Sequence, residues 1–357
     1  MVLQSSTNWL ESHGMKAVIF EQHGGPEVLR YTDVPAPAIK ANEVLVEVKA
    51  CALNHLDVWV RGGLPGIEIP FPHILGNDVA GVIREVGELV SWVQAEDEVM
   101  LHPGVSCGHC VECLSGRDNL CRDYDMLGYR RDGGYAELVA APAVNVIPKP
   151  KKLSWGEAAA LPLVTVTAWH MLVTRAAVQP GEDVLVHAAG SGVGSIGIQV
   201  AKLLGARVIA TASSEEKLVK AKELGADEVV NYSDEAWPKE VKRLTNRKGV
   251  DVVFEHTGAA TWPGSIASLK SNGRLVTCGA TSGFAAQTDL RLVFYKHLTI
   301  LGSFMGSKAE LLEAMKFVES GKIRAVVDQT LPLAEARGAH ELMEDRAQFG
   351  KLVLTPG

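Results

Sequence analysis

From about Gly181 onward the chain alternates continuous apolar runs with helical patterns. EDVLVHAA (Glu182–Ala189) is followed by a helical pattern over Val193–Leu204, and RVIATA (Arg207–Ala212) by another over Glu215–Leu224. Further strand-like runs are DEVVNY, GVDVVFEH, GRLVTCGA and LTILGS. Apolar strands that alternate with helices are typical of a parallel sheet covered on both faces. This half is therefore predicted to be an α/β unit with a doubly wound parallel sheet.

A glycine-rich segment, AAGSGVGSIG, lies between the first strand and the first helix of this half. Tight turns and close approach of a phosphate need residues without a Cβ atom, and the start of the next helix offers unpaired N–H groups. Its place inside a strand–helix–strand unit distinguishes the loop from an ordinary tight turn, which is the alternative. We predict that a dinucleotide binds at Gly190, Ser191, Gly192, Val193 and Gly194.

The end of the second strand indicates which dinucleotide binds. An acidic residue there would hold a ribose 2′-OH, but the first acid is Glu215, which the pattern places in the next helix. The hydroxyl groups of Ser213 and Ser214, together with Lys217, suit a 2′-phosphate. This favours NADP(H), and NAD(H) remains the alternative. Ser213 with Glu216 also fits a helix capping box, which any helix can carry.

Up to about residue 150 the chain has a different, β-rich character. Short alternating runs such as EVLVEVKA (Glu43–Ala50) and AGVIREVG (Ala80–Gly87) lie between glycine and proline residues. MKAVIF, which begins at Met15, is predicted to be the first strand, so residues 1–14 are interpreted as an extension. A chain of 357 residues is long enough for two domains that each bury a core.

Composition excludes several classes of partner. Lys and Arg number 35 and Asp and Glu 42, which gives a net charge of −7 without a basic block, so neither nucleic acid nor an anionic membrane is expected. The longest apolar run, Ala158–Val173, contains Pro162 and does not predict a membrane-spanning helix. The N-terminus lacks the pattern of a secretory signal, which makes the cytoplasm the expected location. A small-molecule substrate is the expected partner.

Four of the six cysteines fall in one short segment, CGHCVECLSGRDNLC. They are Cys107, Cys110, Cys113 and Cys121. Their spacing suits tetrahedral thiolate ligation of one zinc ion per chain, and four sulfurs leave no open position, which is typical of a structural site. Reduced thiols or a disulfide are the alternative. His109, inside the loop, is interpreted as solvated, and Cys51 and Cys278 as small buried hydrophobic residues.

A four-cysteine lobe inside a β-rich half, followed by a dinucleotide-binding half, resembles the medium-chain dehydrogenase/reductase superfamily. This superfamily contains the zinc alcohol dehydrogenases and the quinone oxidoreductases. The resemblance implies a GroES-like catalytic domain at 15–160 and 305–357 with its zinc lobe at 103–122, and a Rossmann domain at 161–304. It also implies an active site in the cleft between these domains, and homodimers or homotetramers, often joined through the strand predicted at Leu298–Ser303.

At the positions that match the catalytic-zinc ligands of the alcohol dehydrogenases, this sequence has other residues. Asn54 stands in the place of the first ligand, Asn77 in that of the second and Leu163 in that of the third. Leu56 stands in the place of the hydroxyl group that relays the alcohol proton. ALNHLD followed by WVRGG is similar to the zinc-free quinone oxidoreductase branch, whereas the cysteine lobe is not typical of that branch.

These replacements define candidate catalytic residues. The amides of Asn54 and Asn77 are predicted to donate hydrogen bonds to a substrate oxygen that gains negative charge, and pairing within tight turns is the alternative. His55 is a candidate for contacting the cofactor phosphate or supplying a proton, with a plain hydrogen-bonded histidine as the alternative. Asp57 and Asp78 are expected to hold the backbone of the site by hydrogen bonds.

Two further cofactor contacts are expected. Thr167 resembles the residue beside the nicotinamide ring in this superfamily, and Gly279 follows a later predicted strand. His187 and His256 lack the spacing of a ligand set and are interpreted as packing or surface residues.

The leading hypothesis is an NADP(H)-preferring oxidoreductase that transfers hydride to an activated carbonyl, quinone or enone without a catalytic zinc. Such acceptors do not need the Lewis acid that an unactivated alcohol requires. One alternative is an alcohol dehydrogenase with an unusual metal site formed by Asp57, Asp78 and water. Another is an NADP(H)-binding protein without turnover.

Overall fold

The structure is a computed structural model that describes residues 14–357. The described chain forms two compact units, one made of residues up to 163 together with 327–357, and one of residues 164–326. All but the last residue of the predicted extension at 1–14 lie outside the described residues. No helix in the described part combines the length and the apolar character that a membrane crossing requires.

The strands and helices are numbered in chain order. The strands are β1 (Met15–Phe20), β2 (Arg30–Val34), β3 (Glu43–Ala52), β4 (His73–Ile74), β5 (Asp78–Val86), β6 (Glu98–Leu101), β7 (Gly104–Val105), β8 (Asp125–Met126), β9 (Leu138–Pro142), β10 (Val146–Pro148), β11 (Asp183–Val186), β12 (Arg207–Ala212), β13 (Glu228–Asn231), β14 (Val250–Glu255), β15 (Leu269–Thr277), β16 (Thr299–Gly302), β17 (Val327–Pro332) and β18 (Lys351–Thr355). The α-helices are α1 (His55–Gly62), α2 (Val111–Leu114), α3 (Trp155–Ala159), α4 (Pro162–Trp169), α5 (Gly192–Leu203), α6 (Glu215–Glu223), α7 (Trp237–Leu244), α8 (Trp262–Ser268), α9 (Leu290–Tyr295), α10 (Lys308–Glu319) and α11 (Ala336–Glu344), and a π-helix spans His170–Arg175.

The first unit is built on β-sheets, as the GroES-like prediction requires. Its largest sheet has the order β10-β6-β5-β3-β18-β17, with β9 paired to β3, and a second sheet has the order β2-β1-β4. Strand β3 is buried along most of its length because it lies inside the sheet. Strand β18 comes from the last part of the chain yet pairs with β3. The two chain segments that form this unit therefore meet inside one sheet.

The second unit is the predicted parallel sheet with flanking helices. The strand order is β13-β12-β11-β14-β15-β16, and each neighbouring pair is parallel. This is the 3-2-1-4-5-6 order of a Rossmann fold, in which ligands bind at the carboxyl ends of the strands where the order reverses, here between β11 and β14. Strand β14 is buried throughout, as its apolar run indicates.

The chain returns to the first unit at Val327, and not at residue 305 as the resemblance implied. The helical pattern over 308–319 fits either unit, and long-range contacts decide its place. In the structure, Glu310 of α10 accepts a hydrogen bond from His170 Nδ1 at 2.8 Å. Gln199 of α5 exchanges hydrogen bonds with the main chain of Arg324. These contacts join 305–326 to the second unit.

Candidate functional site

The four cysteines of the lobe converge. Their Sγ atoms all lie within 4.8 Å of one another. The Sγ atoms of Cys107 and Cys113 are 3.9 Å apart, and those of Cys110 and Cys113 are 3.5 Å apart. Four sulfurs around zinc at a Zn–S distance of about 2.3 Å would be separated by about 3.8 Å. The N–H groups of His109 and Cys110 lower the pKa of the Cys107 thiol to about 6, which favours the thiolate. The cysteine lobe therefore fits a zinc ion.

The other residues of the cysteine analysis lie apart from this cluster. His109 is exposed, and its Nδ1 hydrogen-bonds to the main-chain oxygen of Cys107 at 2.9 Å. Cys51 is fully buried in β3 and Cys278 is half-buried after β15. Burial raises the pKa of both thiols, so neither is a reactive thiolate.

The glycine loop joins β11 to α5 at the switch point of the parallel sheet. Ser191 caps the helix, and its Oγ accepts a hydrogen bond from the N–H of Gly194 at 2.8 Å. A Cβ atom on Gly194 would clash with the main-chain oxygen of Ala188 and lie 2.9 Å from Ser191 Oγ. Gly190, Gly192 and Val193 complete the turn. The loop thus has the close backbone and helix start that bind a pyrophosphate.

A buried hydrogen-bond chain beneath this loop was not predicted. Glu255 accepts from Ser265 Oγ at 2.7 Å, so Ser265 in turn accepts from His187 Nε2 at 2.9 Å. His187 Nδ1 then accepts from Thr211 at 3.1 Å, which makes His187 neutral. Burial lowers the pKa of His187 accordingly. His187 and Thr211 bracket the start of the loop, since Thr211 Oγ1 accepts from the N–H of Ala188 at 3.3 Å.

The remaining cofactor candidates lie in the second unit. Thr167 is buried in α4, and its hydroxyl group has no partner among the described residues, as expected of a group reserved for a ligand. Ser214 rather than Ser213 caps α6, with its Oγ accepting from the N–H of Lys217 at 3.4 Å. Ser213 therefore does not form the capping box that was the alternative to its cofactor role, and it is exposed directly after β12. A Cβ atom added to Gly279 would lie 3.2 Å from the main-chain oxygen of His256.

Asn54, at the position of the first zinc ligand, forms a polar cluster with Asp78 and Lys351, which we call the Lys351 cluster. Lys351 Nζ donates to Asn54 Oδ1 at 2.7 Å and to Asp78 Oδ2 at 2.9 Å. Asn54 Nδ2 donates to Asp78 Oδ2 at 2.8 Å and to the main-chain oxygen of Ala52 at 3.4 Å. Both N–H groups of Asn54 are thus engaged within the protein, so Asn54 presents no free donor to a substrate oxygen.

Asn77 and His55 lie next to this cluster in the chain. The Asn77 amide donates to the main-chain oxygen of Leu127, while its Oδ1 is buried without a partner among the described residues. The Asn77 amide thus uses one of its two N–H donors within the protein, and its buried Oδ1 is an acceptor without a partner among the described residues. His55 begins α1, is half-buried and packs its ring edge against Trp59 at a centroid distance of 5.9 Å. Leu163 contacts the Lys351 cluster through its main chain, because its N–H donates to Asp78 Oδ1 at 2.8 Å.

Asp57 holds the backbone around the cluster. Its Oδ2 accepts from the N–H of Asn54 at 2.7 Å, and its Oδ1 from the N–H of Gly76 at 3.1 Å. These bonds fix the start of α1 and the turn before Asn77. Burial raises the pKa of Asp57 to about 7, although these donors and the charge of Lys351 act in the opposite direction.

A chain of side chains continues from Asp57 to the C-terminal helix α11. Tyr135 Oη donates to Asp57 Oδ2 at 3.3 Å and accepts from His340 Nε2 at 3.2 Å. His340 Nδ1 accepts from Arg61 at 2.8 Å, because a guanidinium group only donates. His340 is therefore neutral, and burial together with the charge of Arg61 lowers its pKa to about 3. Sequence reasoning missed Tyr135, His340 and Lys351, because nothing local marks them.

Replacing His340 with glutamine is expected to make the protein less sensitive to acid. The native pKa of about 3 lies below the ordinary 6.5, so the unfolded chain binds a proton that the folded chain does not. The stabilisation is complete above pH 6.5 and is lost as the pH falls toward 3. Between pH 6.5 and 5 the wild type should lose about 2 kcal/mol that the variant keeps. Urea unfolding at pH 7.5, 6 and 5 measures this difference.

The exposed His109 supplies the control, since His109→Gln should follow the wild type at every pH. Equal acid sensitivity of the His340→Gln variant and the wild type would show that His340 is not held neutral.

A catalytic zinc does not fit the residues that stand in its place. Zinc binds thiolate, imidazole and carboxylate groups, whereas Asn54, Asn77 and Leu163 offer two amides and a hydrocarbon. The nearby carboxylate of Asp78 is already paired with the Lys351 ammonium group. Among the described residues, the four cysteines are the only group of His, Cys, Asp or Glu side chains arranged to hold a metal ion.

Comparisons with known proteins agree with this architecture. The model of the family described as "Alcohol dehydrogenase GroES-like domain" matches residues 40–151, and that described as "Zinc-binding dehydrogenase" matches residues 192–320. An NAD-dependent alcohol dehydrogenase of Sulfurisphaera tokodaii is 32% identical over 96% of this chain and 100% of its own. A quinone oxidoreductase of Salmonella typhimurium is 32% identical over 94% of this chain and 98% of its own. A solved structure of an NAD-dependent alcohol dehydrogenase is 53% identical, with a TM-score of 0.94, over 96% of this chain and 100% of that one.

A GroES-like unit and a Rossmann-like unit, with relatives matched over nearly their whole length, define a class of two-domain dehydrogenases. The chain belongs to the medium-chain dehydrogenase/reductase superfamily. It is accordingly an NAD(P)-dependent oxidoreductase.

Proposed function

We propose that this protein is an NADP(H)-dependent reductase that transfers hydride to an activated carbonyl, quinone or enone without a catalytic zinc. The observation that carries the proposal is the Lys351 cluster. Asn54, which stands at the position of the first zinc ligand of the alcohol dehydrogenases, is paired there with the Asp78 carboxylate and the Lys351 ammonium group. Bound at the glycine loop, NADPH supplies the hydride, and the protein orients it and keeps water away.

The absence of a suitable ligand set restricts the substrate. A catalytic metal contributes several kcal/mol by polarising a carbonyl or alkoxide oxygen. Without it an unactivated alcohol is hard to oxidise, whereas an electron-poor acceptor takes hydride readily. The alternative metal site of Asp57, Asp78 and water is disfavoured, because Asp57 accepts three hydrogen bonds and Asp78 is paired with Lys351.

Wild-type protein should oxidise NADPH with 1,4-benzoquinone or 2-cyclohexenone at least a hundredfold faster than it reduces NADP⁺ with ethanol. Absorbance at 340 nm, corrected for a blank without enzyme, measures both directions. Turnover limited to alcohols and dependent on added metal would support the alcohol dehydrogenase alternative. Tight NADPH binding without turnover of any acceptor would support a non-catalytic binding protein.

The coenzyme preference is proposed from the end of β12. No acidic side chain lies between Ala210 and Ser214, Ser213 is exposed, and Lys217 follows in the first turn of α6. An acid there would repel a 2′-phosphate and accept a hydrogen bond from a 2′-OH. The absence of an acidic side chain at the end of β12 therefore favours NADP(H).

Substituting Ser213 with aspartate is therefore expected to lower kcat/KM for NADPH at least tenfold without lowering it for NADH. Initial rates at saturating acceptor measure both values. Ser91→Asp, the same change at an exposed serine of the first unit, should leave both coenzymes unaffected. An unchanged ratio in the Ser213→Asp variant would place the 2′-phosphate elsewhere.

We also propose that the cysteine lobe holds one structural zinc ion. The proposal is supported by the convergence of the four Sγ atoms, which all lie within 4.8 Å of one another. All six cysteines are free in the structure, which suits thiolate ligation in a reducing, cytoplasmic setting.

A homo-oligomer joined through the edge of the parallel sheet completes the proposal. Within residues 14–357, strand β16 pairs only with β15, which leaves its other edge unpaired there. Large apolar side chains around it are exposed, namely Phe284, Leu290, Phe294, Tyr295, Ile300 and Phe304. An apolar patch beside an unpaired edge fits a second copy of the same chain.

A further inference from the structure

We infer that Lys351 supplies the hydrogen-bond donor and the positive charge for the substrate oxygen. This inference deepens the proposed function and rests on it. It replaces the donor role that the sequence suggested for the amide of Asn54, because the structure commits both of its N–H groups to other acceptors.

The inference rests on the number of N–H donors that the Lys351 ammonium group has and on how many of them find an acceptor. An ammonium group has three N–H donors. Two of them donate to Asn54 Oδ1 and Asp78 Oδ2, and the third has no acceptor among the described residues. Because Lys351 is only 4% exposed, water has little access to this third donor. A buried donor without an acceptor is costly, which points to a ligand atom that completes it.

The neighbours of Lys351 fix both its position and its charge. Asp78 is fully buried and ion-paired with Lys351, and its other oxygen is held by the N–H of Leu163. Asn54 is held at the start of α1 by its bond to Asp57. A preorganised cation of this kind stabilises charge that develops on an oxygen and needs no reorganisation during the reaction. Paired with Asp78, it acts as a weaker counterpart of a metal ion, which suits acceptors that are already activated.

The reaction balances without a metal. Bound NADPH would supply a hydride with its electron pair from C4 of its nicotinamide to the carbonyl carbon, and the C=O π pair would move onto the oxygen. The third N–H of Lys351 donates to this oxygen, and a proton from water completes the hydroxyl group. The net reaction consumes one NADPH and one proton for each carbonyl group reduced.

Binding of benzamide, an unreactive carbonyl compound, tests the contact without catalysis. Titration calorimetry of the NADP⁺-loaded protein should show that Lys351→Met weakens benzamide binding by roughly tenfold to a hundredfold. Lys351→Arg keeps the charge and should retain part of the affinity. Lys149→Met is the matched control, because Lys149 is also a largely buried lysine paired with a carboxylate, that of Glu98.

Lys351→Met leaves Asp78 buried without a counter-charge, so this variant can fail to fold. The double variant Asp78→Asn/Lys351→Met removes both charges and should show the same loss of benzamide affinity. Unchanged affinity in a folded variant, or no benzamide binding by the wild type, would overturn the inference.

A comparison of two acceptors separates substrate contact from a structural role. Loss of the Lys351 donor should lower kcat/KM for benzaldehyde at least tenfold more than for 1,4-benzoquinone, because the aldehyde oxygen needs more stabilisation. A structural role would lower both values alike and overturn the inference. If the wild type reduces no acceptor but still binds benzamide through Lys351, the proposed function fails and the contact stands.

Discussion

Replacing Cys110 with serine should release the proposed zinc ion and unfold the cysteine lobe. Elemental analysis after dialysis is expected to fall from about one zinc per chain in the wild type to a small fraction of that. The helix of the lobe adds little to its stability, since α2 has only four residues and Val111 and Leu114 are exposed. A metal ion in such a lobe contributes much of the folding free energy. Hydrogen exchange should accordingly become fast over 103–122, and the thermal midpoint should fall by several degrees.

Cys278→Ser is the control, since this cysteine lies outside the cluster and its substitution should leave the metal content unchanged. A wild type that holds no zinc would refute the structural site. About two zinc ions per chain would reveal a second site and return the alcohol dehydrogenase alternative to consideration.

The substitution Gly194→Val should weaken NADPH binding by at least a hundredfold. The added Cβ would clash with the main-chain oxygen of Ala188 and press on Ser191 Oγ, so the loop backbone must move. Because the N–H groups of this loop are the proposed pyrophosphate site, even a small displacement would remove several charge-assisted hydrogen bonds. Fluorescence titration of NADPH measures the loss.

Gly338→Ala is the matched control, because a Cβ atom there would meet nothing within 4 Å. This variant should bind NADPH like the wild type. A dissociation constant for Gly194→Val within threefold of the wild-type value would mean that the pyrophosphate binds elsewhere.

The features that local sequence determines were predictable. Strand β12 has the predicted bounds, Arg207–Ala212, because an apolar run between two helices fits only a buried parallel strand. The convergence of the four cysteines was predictable for the same reason, since their ligand set lies within 15 residues of sequence, Cys107 to Cys121.

The partners of Asn54 were not predictable. Lys351 lies 297 residues away from Asn54, and a lysine at the start of a strand carries no sign of burial. The fold alone brings the two together, by pairing β18 with β3. The amide of Asn54, which the sequence predicted to donate to a substrate oxygen, therefore already donates within the protein. The second domain boundary was missed for a similar reason, since the place of α10 depends on contacts to His170 and not on its own pattern.

The pairing of β18 with β3 also sets an order of assembly during protein synthesis. The second unit, residues 164–326, is contiguous, so all its strands leave the ribosome before β18 is made. In the main sheet of the first unit, the end of β3 at Cys51 and Ala52 lacks its partner until β18 arrives between β3 and β17. Open strand edges are sites of aggregation. The contiguous unit can thus fold early, while the sheet that carries Lys351 closes last.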